Sequence, residues 1–531
     1  MGVVIESVVW EPKPLLYLFL FFSSFLSIFL LPYFSNNSNR TTTIFDLGIP
    51  SSFLRFQRSF LLIYSLASVM EGLESVFGEF EYAYYGVSRE QMVVSLCVGS
   101  AAALLIGTFL GILSDVIGHK KVCVIFYILH LFVAIWKRVT MHPSVWVAST
   151  CLSLASSIFS FSFETWMVTE HEKLGHRQDS LNDTFWLMAF SESASLIGSQ
   201  VLANWLVDSN AEKRIVFPSI TVVFLAMMGI IYITREWKES PPTAVIEGSK
   251  MSLYACMFGD KRIRLLAWTQ TCLHLSITVF WILWAPTLVA DGREVHLGMI
   301  YPCLLGARML GSTAVPWFLS GASPVRTEDC LLYAFVIMGL ILSIVAYDYQ
   351  EIGILMTLFC LFHACVGVIL PSLARLRTMY VPNELRGGMI SLSLAPANAA
   401  ILFFLIQGGY YRNLGNAKIM AFAAFGLFTA ASCMHMLKPG AKQLHQNWHK
   451  FCRVFVMGIK DILPSNPDCT HGLLRFGVFK CGAAQDCLVH IRFFAFLISR
   501  CILTRPPHWP LALILVPPLD CWATENSVLE S

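Results

Sequence analysis

Charge is what this chain of 531 residues has least of: Asp, Glu, Lys and Arg together make up 13% of it, against about 25% in soluble domains. With 56% hydrophobic residues and a mean hydropathy of +0.64, it has too little polar surface to face water, and lipid is the solvent it fits. A net charge of +3 gives no electrostatic footprint for nucleic acid. The 16 cysteines are scattered singly, without Cys-x-x-Cys pairs or the His spacing that holds zinc. Those in apolar runs, such as Cys97, Cys151, Cys272 and Cys360, read as small apolar fillers. No phosphate-cradling Gly-Lys-Ser/Thr loop is present, which excludes ATP as an energy source. No Gly-x-Ser-x-Gly elbow or His-Glu-x-x-His pair appears either, so the chain reads as no enzyme and calls for no cofactor.

The first apolar run, Leu15 to Leu31, lacks a convincing small-residue cleavage site and reads as a retained membrane helix. Glu6 occupies the position where myristoylation needs Ser or Thr. After this segment the sequence holds six apolar runs between Phe60 and Ile233 and six more between Leu265 and Leu437, each near the ~20 residues that cross a bilayer. The expectation is an all-α membrane protein of two six-helix halves, residues 53–233 and 265–438. Residues 1–52 add a helix and a polar loop, and 234–264 form a basic linker with Arg235, Lys238, Lys250, Lys261, Arg262 and Arg264. Residues 439–531, with six cysteines and no helical periodicity, read as an atypical, poorly ordered tail.

Short loops rich in Lys and Arg face the cytoplasm. That places the linker inside, with the loop holding Arg375, Arg377 and Arg386, and with Arg55 and Arg58 at the first core span. Lys137-Arg138 falls on the opposite side and breaks the pattern locally.

Between the second and third core runs lies Gly111-Ile112-Leu113-Ser114-Asp115-Val116-Ile117-Gly118-His119-Lys120-Lys121. The glycines permit close helix approach and a tight turn. Asp115 can accept from donors at a neighbouring helix start, where the dipole favours an anion, while Lys120 and Lys121 hold the loop at the cytoplasmic face. This stretch resembles the loop between the second and third helices of major facilitator superfamily transporters, with His119 where an Arg is usual. The resemblance implies the major facilitator fold and a gating role for Gly111, Asp115, Gly118, Lys120 and Lys121.

Further segments resemble the molybdate-anion transporter family: Phe53-Leu54-Arg55-Phe56-Gln57, then Phe161-Ser162-Phe163-Glu164-Thr165-Trp166 with Glu170-His171-Glu172. Leu283-Trp284-Ala285-Pro286, Leu310-Gly311-Ser312, Pro371-Ser372-Leu373 and Val381-Pro382 extend it to most of the chain. What the resemblance implies is uptake of molybdate, a tetrahedral dianion; the plasma membrane is the default location for a multi-pass chain that shows no obvious retrieval signal. Composition and helix number leave other readings open: a carrier of another anion or small metabolite, or a transporter-shaped receptor or scaffold without flux.

Ionisable groups at membrane depth cost about 2.5–3.5 kcal/mol each to insert, which makes them functional candidates. Glu71 and Glu74 share a helical face and could line a cavity and take up protons; Glu79 and Glu81 lie nearer the interface. Glu164 and Glu192 admit two readings, pairing with a base across the bundle or binding a proton. Arg308 is the best anion-binding cation, since a guanidinium forks onto two oxygens, with helix pairing as its alternative. His274 and His363 could shuttle protons or be structural.

Overall fold

In the computed structural model the described residues are 51–438, except 85, 141–143, 174–177, 209–215, 238–258, 290–294, 321–325, 348–351 and 412, with four more between 18 and 25. Most of the N-terminal run, the centre of the linker and the tail after 438 lie outside them.

The described chain is helical. The first half comprises α1 (Ser51–Tyr84), α2, α3 (His119–Val139), α4 (Val145–Lys173), α5 (Gln178–Asp208) and α6 (Val216–Glu236). The second comprises α7 (Lys261–Leu288), α8 (Leu297–Ser320), α9 (Thr327–Ala346), α10 (Ile352–Tyr380), α11 and α12 (Asn416–Leu437). α2 is built of Arg89–Ala102, a π-helical turn Ala103–Gly107 and Thr108–Ile117. α11 joins Arg386–Phe404 to a π-helical turn Leu405–Tyr410. Each of the twelve apolar runs thus forms a helix, and the linker's Lys261, Arg262 and Arg264 belong to the first turn of α7 rather than to a loop.

Local chemistry sets the ends. Ser88 and Gln91 form a capping box that opens α2. Asp260 caps α7 by accepting from Arg262 N at 2.8 Å. Gly118, at φ 102°, makes the turn between α2 and α3, a backbone state that a side chain would oppose.

Eight of these helices are long and apolar enough to cross a bilayer by length and composition alone. α1, α5 and α8, outside that eight, hold Glu71 and Glu74, Glu192, and Arg308. Large apolar side chains stand outward all round the bundle, among them Leu105, Phe109, Trp205 and Phe224, each more than 60% exposed. A patch of this kind in water would aggregate; lipid covers it here.

Within the first half α1 packs on α5, α3 on α4 and α6, and α2 on α4. In the second, α12 packs on α7 and α9, and α10 on α8 and α9. The halves meet along two seams, α2 with α11 and α5 with α8 and α10. Small residues make the first seam possible: a Cβ on Gly111 would overlap the Ser391 side chain, and one on Gly387 would overlap Asp115 and Ser114.

Candidate functional site

Two charged constellations join the halves. Toward the membrane interior, Arg308 on α8 donates from Nη2 to Glu192 Oε1 on α5 at 2.8 Å. Tyr64 on α1 donates its hydroxyl to the other carboxylate oxygen, also at 2.8 Å. The side chains are 9% exposed for Arg308 and 20% for Glu192, so the pair is shielded and its attraction strong. Glu192 accepts from both halves at once.

The second constellation lies at the ends of α4, α10 and α11 that share a side with the turn between α2 and α3. Arg377 Nε donates to Glu164 Oε1 at 2.8 Å, and its Nη2 donates to the second carboxylate oxygen. This fork gives both charge and orientation. Arg377 Nη1 also donates to Gln270 Oε1 of α7 at 3.0 Å. Arg386, fully buried, places Nη1 3.7 Å from Glu164 Oε1 and donates through Nη2 to Asn383 Oδ1 at 3.0 Å. Asn383 in turn donates to Glu172.

Beside this network Asp115 closes the seam between α2 and α11. Its oxygens accept from Gly387 N at 3.0 Å and Gly388 N at 2.7 Å. These are first-turn amides that an α-helix cannot satisfy itself, at the end where its dipole favours a negative charge. Ser391 adds a hydrogen bond to the Thr108 carbonyl at 3.0 Å. Lys120 donates to the Trp237 carbonyl, tying α3 to the end of α6, while Lys121 is exposed. At the other ends of the helices, Gln200 Nε2 of α5 meets the Gly298 carbonyl of α8 at 2.8 Å.

Glu71 and Glu74 are placed differently. Each has its own base on α3: Glu71 Oε1 lies 3.4 Å from His130 Nε2, and Lys137 Nζ donates to Glu74 Oε2 at 2.8 Å. Both pairs lie within the first half, so a movement between halves leaves them intact. Lys137, half of the Lys137-Arg138 exception to the loop-charge pattern, has its side chain shielded against this acid. The side chains of Glu79 and Glu81 lie outside the described residues.

His274 faces Asn398 at 3.3 Å, whereas His363 is buried with neither ring nitrogen hydrogen-bonded among the described residues. Ser68 bonds its own helix at the Tyr64 carbonyl. Gly311, of the Leu310-Gly311-Ser312 segment, permits a close helix crossing: a Cβ there would overlap the Ala364 carbonyl of α10. The two first-half segments that carried the resemblance, Phe53–Gln57 and Phe161–Glu172, meet at one end of that half. Phe53 packs edge-on to His171 at 5.3 Å, Phe56 lies 5.4 Å from Trp166, and Gln57 donates to Thr184 Oγ1 at 2.9 Å.

The sequence did not single out Tyr64, Gln270, or Arg377 and Arg386 as site groups. The two arginines were assigned to a cytoplasmic loop, but α10 continues to Tyr380 and carries Arg377 into the bundle. The signal was available in Glu164, an acid at membrane depth that needs a base. A small hollow between α7, α11 and α12, lined by Val279, Leu283, Phe404 and Asn416, offers no cation and is not the candidate site.

Two helical halves held together by ion pairs, over a seam that a helix N-terminus and a carboxylate can close, define an alternating-access membrane carrier. Residues 19–360 match the major facilitator family model described as sugar transporters with twelve transmembrane segments, and the chain belongs to that family. It is 24% identical over 375 residues to a molybdate-anion transporter of Takifugu rubripes, covering 65% of this chain and 77% of the relative. A molybdate-anion transporter of Xenopus tropicalis is 22% identical over 418 residues, 76% of this chain and 90% of the relative. In fold the chain is similar to the E. coli fucose:proton symporter, at TM-score 0.57 and 12% identity over 73% of this chain and 100% of that one. It is also similar to a bacterial homologue of the iron transporter ferroportin in an outward-facing state, at TM-score 0.59 and 14% identity over 72% and 98%. The protein is a multi-pass membrane protein of the major facilitator fold.

Proposed function

We propose that this protein takes up molybdate, or a tetrahedral oxyanion of like charge, across the plasma membrane by alternating access, as a carrier and not a catalyst. The observation that carries the reading is the Arg308–Glu192 pair: a shielded guanidinium in one half, held by a carboxylate of the other. A carboxylate is a resident oxyanion, and a guanidinium that accommodates one can accommodate another. An incoming dianion competes with Glu192 for Arg308, and the loss of that bond loosens the α5–α8 seam. The names of the relatives in fish and frog support molybdate as the competitor.

Proton coupling belongs to the same proposal. Protonation of Glu192 releases Arg308 without leaving a buried anion unpaired, so a proton and the dianion would travel together. At the cytoplasmic face Glu164, Arg377, Arg386 and Asp115 act as the gate that opens in the inward-facing state. Glu71 and Glu74 brace α1 against α3.

Initial uptake of labelled molybdate into cells expressing the chain, against control cells, tests this. Saturable uptake that tungstate inhibits and a hexose does not is expected. The family model's description as sugar transporters favours one second reading, a neutral sugar. Hexose uptake with no molybdate uptake would establish that reading and remove the first; neither flux would leave a scaffold.

A further inference from the structure

α10 carries a polar side chain that the fold leaves without a partner. His363 is 1% exposed, and neither Nδ1 nor Nε2 has a hydrogen-bond partner among the described residues. Aromatic rings enclose it, with centroids at 4.8 Å for Phe280, 4.8 Å for Trp281 and 5.7 Å for Phe362. An imidazole buried in this way forfeits its hydrogen bonds to water and gains none in return, a penalty that Phe or Leu would not incur. Packing alone therefore does not account for a histidine here.

The second unsatisfied donor is close by in the fold. Arg308 Nε is also buried and without a partner among the described residues, although Nη2 reaches Glu192. α8 and α10 cross with their backbones touching: a Cβ on Gly367 would overlap the Arg308 carbonyl, and one on Gly311 the Ala364 carbonyl, next to His363. Trp281 packs on His363 and also on Tyr301, 5.5 Å away, which lies two helical turns before Arg308 on the same face of α8.

We propose that His363 contacts the substrate, giving its N–H to an oxyanion held by the Arg308 fork once Glu192 has let go, with Trp281 as the apolar wall. An imidazole has an N–H to give in either tautomer. A tetrahedral oxyanion presents more oxygens than one guanidinium can satisfy, so a donor from a neighbouring helix fits its shape. This inference rests on the oxyanion reading above.

The test uses the full chain in detergent and in proteoliposomes, with molybdate as the probe. His363→Phe fills the aromatic box without a donor; His363→Gln restores an N–H without the ring. His363→Phe should unfold at the same temperature as wild type or higher without ligand, yet lose most of the stabilisation that molybdate gives wild type. Its KM for molybdate should rise about tenfold or more, the loss of one hydrogen bond to a charged ligand, with Vmax within about twofold of wild type. His363→Gln should recover part of the KM. A merely structural histidine predicts the reverse: a lowered unfolding temperature in His363→Phe and an unchanged KM, and that result overturns the proposal. Wild-type KM and molybdate stabilisation in His363→Phe overturn it as well. Wild-type protein that neither binds nor carries molybdate removes the oxyanion reading, and this inference with it.

Discussion

Glu164 of α4 and Arg377 of α10, 213 residues apart in sequence, are paired fork to fork across the two halves of the molecule. A second buried arginine, Arg386, lies 3.7 Å from the same carboxylate, so one acid holds two bases in a shielded site. Breaking a buried pair by removing one partner costs about 3–5 kcal/mol, because the remaining charge is left uncompensated. Under the alternating-access reading proposed above, that makes the contact a switch between a closed cytoplasmic face and an open one.

Glu164→Gln should therefore shift the population toward the cytoplasm-open state by a factor on the order of a hundred or more. Ser391 is buried in the α2–α11 seam, so a cysteine there reports on closure. In inside-out vesicles, Ser391→Cys should react with an impermeant maleimide much faster when Glu164→Gln is also present. Equal rates in the two backgrounds would count against a gate at Glu164.

Asp115 differs from Glu164 in its partners, which are two backbone amides rather than a guanidinium. Asp115→Asn keeps an acceptor but loses the charge that favours the α11 N-terminus, worth about 0.3–2 kcal/mol. Maximal uptake should fall several-fold while KM stays nearly constant, since no substrate contact is lost. A much weaker apparent affinity with unaltered maximal uptake would place Asp115 in the binding site instead.

The Glu74–Lys137 pair makes a prediction about stability rather than flux. Both side chains are 10% exposed or less, so Glu74→Gln removes a charged hydrogen-bond acceptor from a shielded ammonium and should destabilise the protein by about 1.5–3 kcal/mol. The double variant Glu74→Gln, Lys137→Gln should recover most of the loss, because neutral amides can pair with one another. Thermal unfolding of the single and double variants measures the coupling; additive losses would show that the two residues act independently.

Much of this architecture is legible in the sequence, since twelve apolar runs and a Gly-Asp-Gly turn are local patterns with local causes. Glu164, Glu192 and Arg308 also declare themselves, since an ionised group in lipid needs a reason to be there. Their partners are the part that is not legible. Arg308 finds Glu192 over 116 residues and Arg377 finds Glu164 over 213, separations that only the packing of the two halves resolves. Glu71 and Glu74 show the opposite limit. Their spacing on α1 is visible, but His130 and Lys137 on α3 decide that each is committed to a partner within the first half. Arg377 and Arg386 look like loop charges because the apolar run stops near Leu373, while the helix goes on to Tyr380.

The Arg308–Glu192 pair yields a test in which two variants move one parameter in opposite directions. Arg308→Ala removes the charge and the forked donors, so molybdate uptake should fall to background. Arg308→Lys returns the charge as a point without the fork and should recover only part of the affinity. Glu192→Gln removes the carboxylate that competes with substrate for Arg308, so KM for molybdate should fall several-fold. Maximal uptake should fall too, because the contact that re-forms the α5–α8 seam after release is weakened. If the proton travels on Glu192, the uptake of Glu192→Gln should also lose its dependence on external pH, since the amide mimics a permanently protonated carboxyl. Initial uptake against molybdate concentration, at two pH values for the wild type and these three variants, decides each point. Wild-type kinetics in Arg308→Ala would remove it from the site, and a raised KM in Glu192→Gln would show that the carboxylate supports substrate binding rather than competing with it.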